Sequence, residues 1–230
     1  MTRNLLALPV LATFAIACAQ DLDVHIRGGD RPPDPGYLVL ALDGGVSVTR
    51  FQVVMRNLRL QSQPTDGGVI TPGNVYVGPG PYIVDLSPDQ LSGGAFTPLI
   101  SDYAVGAKGF YEMDIDLLPV SQGDVEIKPD LSPMLGKTFV IEGTNQAGTP
   151  FTFTSSMATV LIRESVFRMG MNHNNIDVNI APNTWFVQPD GGAPIDPLDP
   201  AQRAQIEANV AASIDAYEDD DMNGVPDPLG

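Results

Sequence analysis

The sequence predicts an all-β protein, specifically an antiparallel β-sandwich with one C-terminal α-helix. Its 23 glycines and 21 prolines follow no regular period and separate short runs of apolar residues. Several of these runs alternate apolar and polar residues with a period of two, which is typical of antiparallel strands with one buried face. A chain of 230 residues is also long enough to bury a stable core without disulfides. We therefore expect two packed sheets over residues 37–187.

The strand region begins with a predicted hairpin. Residues 37–42 lead into the turn sequence Asp-Gly-Gly at positions 43–45, and residues 46–60 form a long second strand. Within this second strand the apolar residues move from even to odd positions and back again. Such changes of phase predict β-bulges near Arg50 and Arg56.

The clearest alternation lies in the middle of the chain. One predicted strand face carries Tyr111, Met113, Ile115 and Leu117, and the opposite face carries Glu112, Asp114 and Asp116. Ile176, Val178 and Ile180 alternate in the same way with Asp177 and Asn179. We expect the polar faces to be solvated, because carboxylates two residues apart on a strand are about 7 Å apart and need further partners to share a metal. Further strands are expected over residues 137–143, 151–154 and 158–163.

A helix is predicted near the C-terminus, after a linker over residues 188–199 that is rich in proline, aspartate and glycine. The helix covers residues 200–217, with Asp199 as its N-cap and Pro200 at its first position. A spacing of three to four residues places one apolar set on a single helix face. This set consists of Ile206, Val210, Ile214 and Tyr217.

An acidic loop over residues 218–230 carries the strongest chemical motif, Asp219-Asp220-Asp221-Met222-Asn223-Gly224-Val225-Pro226-Asp227. The motif resembles the D-x-D-x-N-G-x-x-D loops of EF-hands, dockerins and thrombospondin type 3 repeats, which bind calcium. Oxygen donors at loop positions one, three and five converge on a hard cation, glycine at six permits the turn, and positions seven and nine add a backbone carbonyl and a further oxygen. The implied ligands are Asp219, Asp221, Asn223, Val225 through its carbonyl, and Asp227. Position twelve, where an EF-hand has glutamate, is Gly230. A merely solubilising acidic segment is the alternative.

The first residues have the pattern of a secretory signal. A basic residue, Arg3, precedes a short apolar run that ends in small residues before the single cysteine, Cys18. The segment Ala15-Ile16-Ala17-Cys18 resembles the lipobox of bacterial lipoproteins, which implies cleavage after residues 1–17 and a lipid on Cys18. The same residues also fit an ordinary secreted protein cut at the same bond. Residues 18–36 are polar and rich in turns, and we expect a flexible tether there.

Charge and composition restrict the partners. A formal net charge of −16 disfavours nucleic acid, which requires clustered lysine and arginine. It also disfavours an electrostatic hold on anionic lipid, so the expected link to the membrane is the lipid on Cys18. We expect a non-enzymatic binding or structural module of the bacterial cell envelope, anchored in the outer membrane, with its body in the periplasm or at the cell surface. An envelope protein or a polysaccharide is its expected partner.

Two other functions remain open at this stage. An envelope carrier of a metal or small ligand would use the soft donors Met169, Met171 and His173. A carbohydrate-active enzyme would need two carboxylates about 5 Å or about 6.5–9.5 Å apart in a cleft.

A second resemblance concerns the fold. Residues 82–86, 109–115 and 148–153 resemble strands of uncharacterised bacterial lipoproteins with a transthyretin-like sandwich. That resemblance implies a fold and a location, and no particular chemistry.

Overall fold

The computed structural model describes residues 20–29, 40–62, 75–93, 96–105, 109–168, 174–189 and 192–227. The strands of this part, in chain order, are β1 (Gln20–Gly28), β2 (Leu40–Ala41), β3 (Ser47–Gln61), β4 (Val75–Gly78), β5 (Tyr82–Leu86), β6 (Thr97–Val105), β7 (Gly109–Leu117), β8 (Phe139–Thr144), β9 (Pro150–Ser155), β10 (Thr159–Arg168), β11 (Asn174–Ile180) and β12 (Ile214–Glu218). The α-helices are α1 (Pro88–Leu91), α2 (Gln122–Ile127) and α3 (Arg203–Ala212). Two packed sheets contain the strands, so the predicted all-β sandwich is confirmed. None of these helices has the length and apolar character needed to cross a membrane.

The larger sheet is built around the long strand β3. The sheet has the order β10-β7-β3-β8-β9, and the short strands β2, β4 and β5 also pair with β3. The register of β3 shifts between Val48 and Arg50 against β8, and between Arg56 and Arg59 against β7. The two predicted bulges are therefore confirmed. At the second one, Asn57 has a positive φ of 45°.

The smaller sheet has the order β12-β11-β1-β6 and contains the first described strand in its interior. β1 pairs in parallel with β11 and antiparallel with β6. The expectation of a flexible tether over residues 18–36 is therefore wrong for residues 20–28. Polar residues separate Leu22, Val24 and Ile26, so the composition of this segment resembles that of a linker. All three aliphatic side chains are nevertheless fully buried. Pairing on both edges stabilises a strand that looks like a linker in isolation.

The C-terminal helix is shorter than predicted. Its first turn is a 3-10 helix over Pro200–Gln202, capped by Asp199, whose carboxylate accepts a hydrogen bond of 2.9 Å from the amide of Ala201. The α-helix then ends at Ala212, and Ile214–Glu218 forms strand β12. Sheet pairing decides this boundary, because β12 adds to the edge of β11 along its whole length. The predicted continuation of the helix to Tyr217 is wrong.

The core lies between the sheets and includes Trp185, the only tryptophan of the chain. Its side chain is fully buried, its ring centroid lies 4.6 Å from that of Phe51, and its indole N–H donates to the hydroxyl of Ser213 at 2.7 Å. The tryptophan thus joins strand β3 of the larger sheet to the end of α3.

The expectation of solvated polar strand faces is wrong in both places. Glu112, Asp114 and Asp177 have no exposed surface, and Asp116 and Asn179 are nearly buried. On β7 the carboxylates pair with polar side chains of β3. On β11 the face lies beneath the acidic loop that follows β12.

Candidate metal centre

The acidic loop is a closed turn attached to the edge of the smaller sheet. The amide of Asp219 donates to the carbonyl of Asn175 at 3.0 Å, which extends the β11–β12 pairing by one step. The amide of Asp227 donates to the carbonyl of Glu218 at 2.9 Å and so closes the loop at its base. The backbone of residues 219–227 is therefore fixed to the sheet at both ends.

Three carboxylates meet inside this turn. Asp219, Asp221 and Asp227 each offer an oxygen, and the three oxygens lie within 4.8 Å of one another. Asp219 is buried, Asp227 is half-buried and Asp221 is exposed, so the group lies at the surface of the fold with one member beneath it. Such a group can hold a metal ion. The loop spacing thus predicted correctly which carboxylates come together.

Hydrogen bonds within the turn hold these carboxylates in position. The two oxygens of Asp219 accept from the amides of Asn223 at 3.0 Å and Gly224 at 2.7 Å. Met222 and Gly224 have positive φ angles of 55° and 80°, which turn the chain back over its own start. Each carboxylate oxygen has two lone pairs, so an amide bond still leaves room for a cation.

The other two predicted ligands are placed less directly. The side-chain oxygen of Asn223 accepts from the amide of Val225 at 2.7 Å, and its Nδ2 donates to Asp221 at 2.8 Å. Asn223 therefore braces the turn in this structure instead of joining the carboxylate group. The role of the Val225 carbonyl stays a prediction.

A fourth carboxylate, which the sequence did not indicate, lies beneath the loop. Asp177 on β11 is fully buried and faces the carboxylate of Asp219. Neither of its oxygens accepts a hydrogen bond from a donor in the described part of the chain. Burial, followed by the contact with Asp219, raises the pKa of Asp177 to about 8. The alternation Ile176-Asp177-Val178 predicts only that Asp177 lies on a solvent-exposed strand face, and it gives no sign of a binding role.

Arg27 and Tyr217 fix the loop onto the sheet. The hydroxyl of Tyr217 donates to the carbonyl of Gly224 at 3.3 Å, and the guanidinium of Arg27 packs against Gly224. The same guanidinium lies 5.7 Å from the ring of Phe96. Burial, followed by the charge of Asp177, raises the pKa of Tyr217 to about 12. The loop is therefore packed on the polar face of the smaller sheet.

The carboxylates of β7 form a different kind of group. Arg59 donates to Asp116 at 2.7 Å and to Asp114 at 3.3 Å, and Asn57 donates to Asp116 at 2.7 Å. Burial raises the pKa of Asp114, whereas its bonds to Gln61 and the charge of Arg59 act against that rise. These acids thus accept hydrogen bonds from a buried cation and from side-chain amides, whereas Asp177 accepts none in the described part of the chain.

Two surface pockets bear on the carbohydrate-enzyme alternative. The larger, of about 480 Å³, contains one carboxylate, Glu207, which accepts from the hydroxyl of Ser155 at 2.7 Å. The smaller, of about 180 Å³, also contains one, Asp196. Neither pocket offers the carboxylate pair that this alternative requires.

The remaining predicted site residues cannot be placed, and one residue of the expected tether lies elsewhere than predicted. Cys18, Met169, Met171 and His173 lie outside the described residues. His25, assigned to the tether by the sequence, is instead nearly buried on β1, with its ring edge-on to Phe96 at 6.0 Å. No protein-family model matches the chain, and comparisons with curated protein sequences and with solved structures found no match either.

Proposed function

We propose that the protein is a lipid-anchored binding or structural module of the bacterial cell envelope whose C-terminal loop binds calcium. The observation that carries the proposal is the meeting of Asp219, Asp221 and Asp227 within 4.8 Å in a turn fixed to the sheet. The lipid anchor rests on the lipobox-like sequence before Cys18.

The donor set favours calcium among common biological cations. Carboxylates are hard oxygen donors, which suit calcium, magnesium and manganese, whereas zinc and copper prefer imidazole or thiolate. Magnesium demands a near-ideal octahedron and keeps several waters, while calcium accepts six to eight oxygens in flexible geometry. An irregular loop with one buried and two more accessible carboxylates fits calcium better. The absence of an acidic residue at loop position twelve places the expected affinity in the weak, roughly 10⁻⁴–10⁻³ M class of extracellular modules.

Calcium binding to this loop would stabilise the folded state. The loop contacts β11 through Asn175 and β1 through Arg27, so a cation in the loop strengthens the attachment of β12 to the sheet. A ligand that binds only the folded state stabilises it, by about 1 kcal/mol when its free concentration is about four times its Kd. A module outside the cytoplasm would thus be strengthened by the calcium of its surroundings.

The corrected first strand has a consequence for the anchor. Cys18 precedes Gln20, the first residue of β1, by two positions. Only Ala19 stands between them in the sequence, so a lipid on Cys18 would leave almost no linker between the sheet and the membrane. Under this proposal the smaller sheet is held close to the membrane surface.

Calorimetric titration of calcium into the full chain, purified in detergent, tests the cation site. We expect heat with a Kd near the millimolar range in the parent, and none in a variant with Asp221→Asn and Asp227→Asn. The exposed Asp130, on the short helix Pro129–Met134, provides the matched control, because Asp130→Asn makes the same chemical change far from the loop. Absence of binding by the parent up to about 10 mM calcium would overturn the proposal.

A further inference from the structure

The loop alone offers too few acidic groups for a well-held calcium ion. Three of its carboxylates converge, those of Asp219, Asp221 and Asp227, whereas Asp220 accepts a hydrogen bond from the amide of Asn175. Gly230 stands where an EF-hand has its bidentate glutamate. Calcium takes six to eight oxygens, and the charge of its ligands sets its affinity, so a further acidic group from elsewhere in the fold would strengthen the site.

Strand pairing brings Asp177 beside Asp219, the first acid of the loop. Asp177 pairs with Tyr217, and Asp219 follows two residues later, bonded through its amide to the carbonyl of Asn175. Side chains two residues apart on a strand share a face, so Asp177 and Asp219 lie on the same side of the sheet. Their carboxylates are in contact.

The surroundings of Asp177 leave its oxygens available. The side chain has no exposed surface, and neither oxygen receives a hydrogen bond within the described residues. A buried carboxylate without a donor is costly, and its contact with a second carboxylate adds repulsion. Arg27 supplies a positive charge near Asp177 but gives neither oxygen a hydrogen bond. The acids on β7 differ, since Arg59 and two side-chain amides donate to them directly. A divalent cation would compensate Asp177 and Asp219 together.

We propose that Asp177 supplies, from strand β11, the acidic ligand that the loop lacks at position twelve. The cation site is then built from two separate segments, and it forms only when β12 has joined β11. This inference rests on the proposed calcium site and adds its remaining acidic ligand.

The competing role for Asp177 is that of a neutral acid that donates a hydrogen bond to Asp219. The variant Asp177→Ala is the sharper probe, because asparagine could still bind the ion through its amide oxygen, whereas alanine removes both oxygens and leaves room for water. A residue that only supports Asp219 can still change affinity by tenfold or more, so affinity must be joined by a count of ligands. The luminescence lifetime of bound Eu³⁺, a hard ion close to calcium in size, measured in H₂O and in D₂O, counts the water molecules on the ion.

We expect Asp177→Ala in the full chain to weaken calcium binding by at least about tenfold and to add water to bound Eu³⁺. Asp130→Ala, at an exposed position outside the loop, should leave both quantities unchanged. Parent-like affinity in Asp177→Ala, or weaker binding with an unchanged water count, would overturn the inference. In the second case Asp177 would act only through Asp219.

A crystal structure of the parent grown with calcium tests the inference without any variant, should Asp177→Ala fail to fold. An Asp177 oxygen about 2.3–2.6 Å from the ion supports it, and an ion bound without Asp177 overturns it. The parent titration keeps the two proposals apart. Failure of the parent to bind calcium overturns both, whereas a parent that binds without Asp177 overturns only this one.

Discussion

The guanidinium of Arg27 occupies the space into which a side chain at Gly224 would project. Arg27 belongs to the first described strand and Gly224 to the acidic loop, so this contact joins opposite ends of the described chain. The hydroxyl of Tyr217 donates to the carbonyl of the same glycine. The position of the loop on the sheet thus depends on a residue without a side chain.

Gly224→Ala should loosen the loop for two reasons. The φ of 80° is strained for alanine, and its Cβ would overlap Arg27. We expect a loss of about 1–3 kcal/mol in the free energy of unfolding and weaker calcium binding, measured by urea denaturation and calorimetry. Gly136 is the control, since it has a φ of 73° and nothing within 4 Å of its Cβ position. Equal losses in Gly224→Ala and Gly136→Ala would show that the contact with Arg27 contributes nothing.

Most of the sandwich could be predicted because period-two patterns report which residues share a face. The strand Gly109–Leu117 and the bulges of β3 were visible in this way. The pattern could not say what covers the polar face. The pattern alone therefore predicts a solvated Asp177, whereas the loop that lies over β11 buries it.

The ends of the fold illustrate the same limit. β1 was hidden because its three buried aliphatic residues stand among polar ones, and a strand in mid-sheet is recognised by its partners. Ile214 and Tyr217 fit a helical spacing as well as a strand, and pairing with β11 decided between them. Local spacing did find the three loop carboxylates, because their geometry lies within nine consecutive residues.

The ion pair of Arg56 with Asp124 should make stability depend on acid pH. The hydrogen bonds from Arg56, at 2.5 Å and 2.9 Å, hold the pKa of Asp124 well below its usual range. A carboxylate with a depressed folded-state pKa contributes stability above its unfolded pKa near 4, and this contribution is lost as pH falls. Asp124→Asn should therefore cost about 2 kcal/mol at pH 7 and progressively less below pH 4 in urea denaturation.

Asp85 provides the comparison for that pair. Arg50 also binds it through two nitrogens, but 43% and 44% of the two side chains are exposed. Water and salt screen such a pair, so Asp85→Asn should cost less than about 1 kcal/mol at pH 7. A constant cost of Asp124→Asn between pH 7 and pH 2 would contradict the assigned depression of its pKa.

The buried network on β3 and β7 should be sensitive to loss of its cation. Arg59→Met would leave Asp114 and Asp116 buried without their main partner, which we expect to cost about 3–5 kcal/mol in the free energy of unfolding. Arg50→Met makes the same change at an exposed position of the same strand and should cost less than about 1 kcal/mol. Adding Asp114→Asn and Asp116→Asn to Arg59→Met should recover part of the loss, and no recovery would contradict a charge-based cause.

Lipid on Cys18 should decide where the protein is found in a bacterial cell. We expect the parent to incorporate a palmitate analogue and to fractionate with membranes, because several acyl chains on one residue attach almost permanently. Cys18→Ala should lose the label and move to the soluble fraction, whereas Ala19→Ser, which keeps the thiol, should behave as the parent. Cys18→Ala should also keep the calcium-dependent stability, because the carboxylates of the cation site lie in the C-terminal loop. A parent protein that is soluble and unlabelled would favour plain secretion and would contradict the membrane anchor in the proposed function. The calcium site would still be tested separately by the calorimetric titration.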